Sequence, residues 1–287
     1  MVDVAIAYRI YPGVSKAPAV FADDKFTLST LCLQSFKKAV GPLKIKMWVL
    51  LDGCPDIYED LFRAYFSEQE LTILKLDKVG NLPSFSTQID ILASQTDSEL
   101  VYFAEDDYFY FPEALVKMVE FARNNSDADF VTPYDHSDFY DESQGLEGHL
   151  IRLFRDHHWR TAPGSCLTFL AKRDALIAIR DTFETYRKKN DDGSLWLSII
   201  QKGRLLNPRL QWRTSVRRKL WLKTWFFGYK QILFRRYRKV WVAIPSIATH
   251  MESPCLAPVV NWYAEFDRAK EDALTMASQL RAEPSEL

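Results

Sequence analysis

Short apolar runs and amphipathic stretches alternate along the first half of the chain, and their order predicts strands and helices in turn. Apolar runs that end in turn residues are typical of buried strands, and the predicted strands are 2–8, 43–51, 71–76 and 100–104. Stretches with apolar residues three or four apart are typical of helices, and the predicted helices are 25–40, 56–66 and 82–94. Asp56 and Glu59 form a plausible capping box at the start of the second helix. Strands that alternate with helices predict a parallel sheet with helices on both faces.

The second half of the chain has a less regular pattern. Its predicted strands are 130–133, 167–171 and 240–244, and its predicted helices are 113–124, 173–186, 195–202 and 262–280. The segment 134–158 is rich in Asp, His and aromatic residues, and we expect loops and short strands there. We also expect a loop at 246–255.

Charge is distributed unevenly along the 287 residues, although the formal net charge is only −1. Residues 202–239 contain 13 Lys or Arg and no Asp or Glu, which leaves 37 − 13 = 24 basic and 38 acidic residues elsewhere. A basic segment on an acidic body indicates attraction to an anionic partner. On a helical wheel the charges of this segment do not collect on one face, so it is not a simple amphipathic anchor. Contact with an anionic bilayer, binding of nucleic acid, and solvated helices packed on the body remain open.

Cysteine usage and hydropathy bear on the cellular location. The four cysteines lie far apart and show no metal-ligand spacing, which predicts reduced thiols. The first residues lack the basic and long apolar regions of a signal peptide, and no uncharged apolar run reaches the roughly 18 residues of a membrane-spanning helix. We therefore expect a cytoplasmic protein, with peripheral contact at the inner face of the membrane through 202–239 as an option.

Polar residues follow the predicted strands at the ends where a parallel sheet binds its ligands. These ends carry Ala7, Tyr8 and Arg9, then Asp52, then 77–81, and finally the acidic triplet 105–107. Adjacent carboxylates suit Mg²⁺ or Mn²⁺, and Mg²⁺ is usually held by one or two carboxylates together with substrate phosphates. The alternative is a helix N-terminus with ordinary surface charge.

Several motifs together resemble those of GT-A fold glycosyltransferases. The apolar strand followed by EDD, an aromatic residue and a proline-led helix resembles the DXD-type signature that binds the metal and the nucleotide-sugar donor in that family. LDGCPD at 51–56 resembles the DDGSxD strand end of family-2-like members, with Leu51 in place of the first Asp. DDGSL at 191–195 resembles the E-D-x-D-L motif, and PSIATH at 245–250 brings a late His. The resemblance covers about residues 2–255.

This resemblance implies an α/β fold of the GT-A, Rossmann-like type, with a mixed, mostly parallel sheet flanked by helices and a basic aromatic helical segment near the C-terminus. Residues 1–201 would form the core, with a donor-binding half at about 1–112 and an acceptor-binding half at about 113–201. The segment 202–239 would be separate, and 240–287 would complete the core with a strand, a metal loop and a helix.

The resemblance also implies roles for individual residues. Mn²⁺ or Mg²⁺ would bind Asp107 and His250. Asp192 would be the general base, with Asp191 as the second choice. The donor-binding residues would be Ala7, Tyr8, Arg9, Asp52, Asn81, Ser84, Glu105 and Asp106.

The implied reaction is the transfer of a sugar, with inversion, from a nucleotide sugar to a glycan or lipid-linked acceptor, and a UDP-sugar is the favoured donor. On the acceptor side, Asp135 and Asp138 are candidates for binding sugar hydroxyls, and 157–159 and 163–165 are candidates for lining the site. One alternative is a glycoside or phosphate-ester hydrolase that uses the same acids. Another is a catalytically inactive GT-A-like protein that binds a membrane or nucleic acid through 202–239, although nucleic acid is the less favoured partner.

Overall fold

The computed structural model describes residues 1–14, 17–140, 149–200, 205–206 and 215–282. Its strands are β1 (Val4–Ile10), β2 (Ile45–Asp52), β3 (Leu71–Leu76), β4 (Leu100–Glu105), β5 (Tyr108–Tyr110), β6 (Phe130–Thr132), β7 (Ile151–Phe154), β8 (His157–Ala162), β9 (Phe169–Lys172), β10 (Val240–Ile244) and β11 (Ala248–His250). Its helices are α1 (Lys25–Val40), α2 (Ile57–Tyr65), α3 (Asn81–Ser94), α4 (Ala114–Asn124), α5 (Arg173–Ala178), α6 (Arg180–Phe183), α7 (Asp192–Ile200), α8 (Ser215–Phe234) and α9 (Trp262–Ala282).

Nine strands form one mixed sheet in the order β3-β2-β1-β4-β9-β6-β10-β8-β7. Seven of them run in the same direction, since only β8 and β9 pair antiparallel with neighbours that point the common way. The predicted mixed, mostly parallel sheet flanked by helices is therefore confirmed. The predicted basic aromatic helix is present as α8, while 202–204 and 207–214 of that segment lie outside the described residues.

Alternate residues of the central strand β1 enter two different cores. Val4, Ile6 and Tyr8 pack with α1, α2, α4 and α9 on one face of the sheet. Ala5 and Ala7 face the other way and pack with α3, α5, α6 and α7. The period-2 alternation of a strand thus gives the sheet a helical layer on each side.

The short strands expected in 134–158 are confirmed, since β7 and the start of β8 lie there and form an edge hairpin. Two other features of the second half differ from the prediction. The predicted loop at 246–255 contains β11, which pairs with β5. The helix predicted at 173–186 is broken at Ile179, whose φ of −127° is not helical. The end of the helix predicted at 195–202 lies outside the described residues.

The capping box predicted at the start of α2 does not form. Asp56 adopts a helical conformation and makes no side-chain cap. Its carboxylate pairs instead with Lys75 across 2.8 Å, and Glu59 binds Lys75 and Arg63. Lys75, on the next strand, therefore binds the Asp56 carboxylate that the sequence predicted would cap the backbone of α2.

The four cysteines are unpaired, as predicted. Within the part of the chain that the structure describes, no helix is long and apolar enough to cross a membrane.

Candidate functional site

The carboxyl ends of three neighbouring parallel strands form the floor of the site. β1 pairs with β2 on one side and with β4 on the other, so Arg9 lies opposite both Leu50 and Glu105. Asp52 is the last residue of β2 and Glu105 is the last residue of β4. The topology therefore brings the predicted strand-end residues to one edge of the sheet, where open α/β sheets bind ligands.

Glu105, the first acid of the triplet, is held by protein groups on both oxygens. Its Oε1 forms an ion pair with the guanidinium of Arg9, and its Oε2 accepts a hydrogen bond of 2.8 Å from Thr168. Arg9 also donates to the backbone oxygen of Asn81 across 3.1 Å and to its side-chain oxygen. Glu105 thus links β4 to β1 and to the residue before β9, and Arg9 extends this link to the start of α3.

Asp106, the second acid, forms a buried ion pair with Lys25 at the first position of α1. The Nζ and Oδ2 atoms lie 2.6 Å apart, and both side chains are buried. Burial raises the pKa of Asp106 to about 6, although the ammonium group of Lys25 opposes this. The negative charge of Asp106 is therefore matched inside the protein.

Asp107, the third acid, lies beside His250. His250 ends β11 and pairs with Tyr108 of β5, and the backbone oxygen of Asp107 accepts from the Met251 amide across 2.8 Å. This pairing places the Nε2 of His250 3.2 Å from the Oδ2 of Asp107. Burial disfavours charge on both groups, but their mutual attraction outweighs it: the pKa of Asp107 is lowered and that of His250 is raised.

The free atoms around Asp107 fit a divalent cation. The Oδ1 of Asp107 is buried and has no hydrogen-bond partner in the described part of the chain, and such an atom is costly unless a ligand satisfies it. Carboxylate oxygen and imidazole nitrogen suit Mn²⁺. The Nδ1 of His250 accepts from the Glu252 amide across 3.2 Å, so the neutral ring carries its hydrogen on Nε2 and donates it to Asp107. A cation on Nε2 would replace that hydrogen bond, and the ring would then carry its hydrogen on Nδ1 and lose the contact with the Glu252 amide.

A second set of metal-ligating side chains lies on the same loop. Ligand atoms of His250, Glu252 and Cys255 lie within 4.8 Å of one another. Cys255 adds a soft ligand that Mg²⁺ disfavours and transition metals accept.

Asp52 holds the loop that precedes α3. Its two carboxylate oxygens accept hydrogen bonds from the amides of Val79 and Gly80, across 2.7 and 2.8 Å. Gly80 has a φ of +82°, a conformation that favours glycine. Asp52 lies at the rim as predicted from the strand order, but its first partners are backbone amides. Contact with a nucleotide base would use a remaining lone pair and stays a prediction.

The other predicted donor residues divide between rim and core. Asn81 begins α3 and donates from Nδ2 to the Tyr186 hydroxyl across 3.2 Å, and Ser84 donates back to the Asn81 backbone oxygen. Ala7 and Tyr8 are buried. The aromatic ring of Tyr8 packs edge-on against Phe36, in the core under α1. The structure therefore does not bring the side chains of Ala7 and Tyr8 to the rim.

Asp191 and Asp192 open α7 but have different surroundings. Asp191 caps the helix, since its Oδ1 accepts from the Ser194 amide across 2.7 Å, and its Oδ2 pairs with Lys223 of α8. Asp192 accepts from the Gly193 amide across 2.9 Å and has no ion pair with a Lys or Arg among the described residues. Burial raises the pKa of Asp192, and the charges of Asp191 and Glu105 add to the effect. The charge of Glu105 at the end of β4 is thus one of those that act on Asp192.

The predicted acceptor residues are partly used by the protein itself. The buried carboxylate of Asp135 binds Arg160 across 2.6 Å and also accepts from the Tyr140 hydroxyl. Asp138 is exposed, and its amide donates to His136 across 2.9 Å.

The remaining acceptor candidates contact different partners. His157 contacts Asp156 and Lys117, and Ser165 donates to the Thr168 backbone oxygen across 3.3 Å. Sequence reasoning missed the basic partners Lys25 and Arg160, and no local signal in the sequence marks either one.

No family model matches the chain, and no curated protein matches it. Among solved structures, the chain is similar to the galactosyltransferase LgtC in complex with donor and acceptor sugar analogs, with 10% identity and a TM-score of 0.48 over 98% of both chains. It is similar to S. aureus TarS in complex with UDP-GlcNAc, with 16% identity and a TM-score of 0.41 over 67% of this chain and 52% of that one. A nucleotide-diphospho-sugar transferase from Desulfovibrio desulfuricans G20 gives 13% identity and a TM-score of 0.44 over 81% and 97%. Similarities this weak do not assign a function.

Proposed function

We propose that this chain is a nucleotide-sugar-dependent glycosyltransferase that uses Mn²⁺ or Mg²⁺, with a UDP-sugar as the favoured donor. One observation carries the proposal. At the carboxyl edge of parallel strands, Asp107 keeps a buried oxygen without a partner in the described chain. Asp192 adds a second carboxylate, whose pKa is raised by burial and by the charges of Asp191 and Glu105. A cation-ready carboxylate and a separate basic carboxylate are what transfer from a nucleotide diphosphate requires.

Asp107 and His250 are the residues that would hold the cation. When bound there, a divalent cation would offset the negative charge of the donor diphosphate and of the nucleotide as it leaves. Asp107 contributes the hard oxygen, and the pairing of β11 with β5 fixes the imidazole beside it. Glu105 and Asp106 are occupied by Arg9 and Lys25, so they contribute position rather than ligand atoms.

Asp192 is the proposed general base. Its carboxylate takes the proton of the acceptor hydroxyl while the oxygen of that hydroxyl forms a bond to the anomeric carbon and the bond from that carbon to the diphosphate breaks. A raised pKa brings a carboxylate closer to the value that favours proton transfer near neutral pH. Attack from the side opposite the leaving nucleotide inverts the configuration.

Calorimetric titration with UDP-sugars, with and without Mn²⁺, tests the proposal. We expect binding that depends on Mn²⁺ and is weakened at least about tenfold by Asp107→Ala. Asp138→Ala, at an exposed acid on the acceptor side, is the matched control and should leave binding unchanged. The metal site would be rejected if the wild-type protein bound the donor equally well without Mn²⁺ and if Asp107→Ala bound it as tightly as wild type.

Product analysis separates transfer from hydrolysis. The proposed enzyme releases UDP much faster when a sugar acceptor is present than when water alone is available. Equal release in both conditions, with free sugar as the product, would favour the hydrolase alternative.

A further inference from the structure

Helix α8 exposes apolar side chains in a row along one face. Leu222, Phe226, Tyr229 and Leu233 are spaced by four, three and four residues, which places them on the same side of an α-helix. All four are exposed, and Phe226 retains 76% of its surface. A row of large exposed apolar residues costs free energy in water and marks a surface that binds something.

The fully buried positions of α8 are mostly polar or small. Thr224, Gly228 and Gln231 follow the same spacing on the opposite side and are buried, together with Ile232. Gly228 meets α7 so closely that a Cβ there would lie 2.5 Å from the Cβ of Ser198. Trp221 and Trp225 are partly buried on the body side as well, so α8 has one apolar side against the protein and a second apolar row exposed to solvent.

Two lysines on the exposed side are available for an anionic partner. Lys219 and Lys230 are exposed beside the apolar row and have no ion pair within the described chain. The cations that follow the helix are used differently, because they fasten it to acids of the body. These pairs are Arg235–Asp181, Arg236–Asp129, Arg238–Asp129 and Lys239–Asp127.

We propose that this face of α8 docks onto an anionic lipid bilayer. Large apolar side chains that point outward between lysines are the composition of an interfacial helix, whose apolar face enters the acyl boundary while its cations meet the headgroups. Charge complementarity favours a bilayer over a second copy of this chain, because two such faces would oppose lysine to lysine. Nucleic acid would meet the lysines but not the aliphatic Leu222 and Leu233.

The same helix borders the candidate base. α8 packs along α7, and Lys223 joins it to Asp191, the neighbour of Asp192. Docking of the opposite face of α8 therefore places α7 and Asp192 about one helix diameter, ~10 Å, from the membrane surface, on the side from which a lipid-linked acceptor would present its hydroxyl. This consequence rests on the proposed function, whereas the docking itself does not.

Vesicle co-sedimentation tests the docking without any donor. We expect the full chain to bind vesicles of phosphatidylcholine with phosphatidylglycerol, and to bind pure phosphatidylcholine at least about tenfold more weakly. Phe226→Ser together with Leu233→Ser should reduce binding to the anionic vesicles by about tenfold or more. Ile151→Ser together with Leu153→Ser, at exposed apolar residues of the edge strand β7, should leave it unchanged.

Charge reversal tests the electrostatic part. Lys219→Glu with Lys230→Glu should weaken binding to anionic vesicles more than Lys38→Glu with Lys270→Glu, which changes the net charge equally elsewhere. Circular dichroism confirms that each variant is folded. The proposal is overturned if anionic vesicles do not bind, if the α8 variants bind as well as their controls, or if Phe226→Ser with Leu233→Ser instead abolishes a dimer or RNA binding. UDP-sugar titration is read separately, so loss of donor binding would reject the proposed function and leave the docking result intact.

Discussion

Two pairs of adjacent acids flank the candidate site, and each combines one acid held by a lysine with one that no Lys or Arg pairs in the described chain. After β4, Asp106 binds Lys25 while Asp107 faces His250. At the start of α7, Asp191 binds Lys223 while Asp192 accepts from the local Gly193 amide. The paired acids are satisfied by the protein, so the second acid of each pair is the one left for chemistry.

The two acid–lysine ion pairs differ in burial. The side chains of Lys25 and Asp106 are 8% and 5% exposed, whereas those of Lys223 and Asp191 are 35% and 46% exposed. A buried ion pair leaves a costly unmatched charge when one partner is removed, and an exposed pair does not. The ion pair of Lys25 with Asp106 is therefore expected to matter for folding, whereas the ion pair of Lys223 with Asp191 should have little effect on stability.

The largest expected effect is on the rate of sugar transfer, when the carboxylate of Asp192 at the start of α7 is replaced. Asp192→Asn should lower the rate of sugar transfer by about 10²–10⁴-fold, because general-base catalysis contributes that range. Binding of the donor should stay near the wild-type value, since the amide is nearly isosteric. Single-turnover transfer assays and calorimetry measure the two quantities.

Asp191→Asn is the matched control for that change. Its side chain would still accept from the Ser194 amide as a helix cap, so transfer should stay within a few-fold of wild type. If Asp191→Asn lost as much activity as Asp192→Asn, the assignment of the base to Asp192 would be wrong.

The next effect is on stability. Lys25→Met should reduce the free energy of unfolding by about 3–5 kcal/mol, because it leaves Asp106 buried without its cation. Urea unfolding followed by circular dichroism measures this loss. The double variant Lys25→Met/Asp106→Asn removes both charges and should recover most of it. A loss below about 1 kcal/mol in Lys25→Met is what an exposed ion pair would give, and it would contradict the expectation that the buried ion pair contributes more to stability.

The sequence predicted the acids of these pairs but not their cations. Apolar runs with turn residues identified β4, and parallel topology then implied that its carboxyl end joins those of β1 and β2. Lys25 is 106 − 25 = 81 residues from its partner, and only the packing of α1 on the sheet brings the two together. Arg160 and Asp135 meet in the same way, because Arg160 lies on β8 and Asp135 follows β6, and both strands flank β10 in the sheet.

The fold shows the same division between local and long-range information. The helix at Lys25–Val40 and the strand at Leu71–Leu76 have the predicted bounds, because each has a strong periodic pattern. β5 and β11 have three residues each, too few for a period, and they form because they pair with each other. For α8, a helical wheel of charges gave no face, because tertiary packing decides which side meets the body.

The raised pKa of Asp192 should also have a smaller effect, on how stability depends on pH. Its pKa lies above the model-peptide value of 3.8, so the folded protein binds more protons than the unfolded chain between 3.8 and that raised value. Stability contributed by this group therefore falls as pH rises through that window, and the penalty is complete above it. Asp192→Asn removes the penalty.

Urea unfolding at two pH values measures this difference. The stability of Asp192→Asn relative to wild type should increase between pH 4 and pH 7, in the direction opposite to its effect on transfer. Asp97→Asn, at an exposed carboxylate with no ion pair in the described chain, is the control for a general pH effect. A relative stability that does not change with pH would contradict the burial of Asp192.

The smallest expected effect on stability comes from removing the lysine of the exposed ion pair between Lys223 and Asp191. Lys223→Met should change the free energy of unfolding by less than about 1 kcal/mol, because its partner Asp191 is half-exposed and solvent screens both charges. The change also leaves the negative charge of Asp191 unmatched beside Asp192, which raises the pKa of Asp192 further. The acid limb of the pH profile for sugar transfer should therefore move to higher pH in Lys223→Met. An acid limb at unchanged pH would mean that the charge of Asp191 does not affect the pKa of Asp192. Of the two ion pairs, only that of Lys25 with Asp106 would then connect the structure with the proposed chemistry.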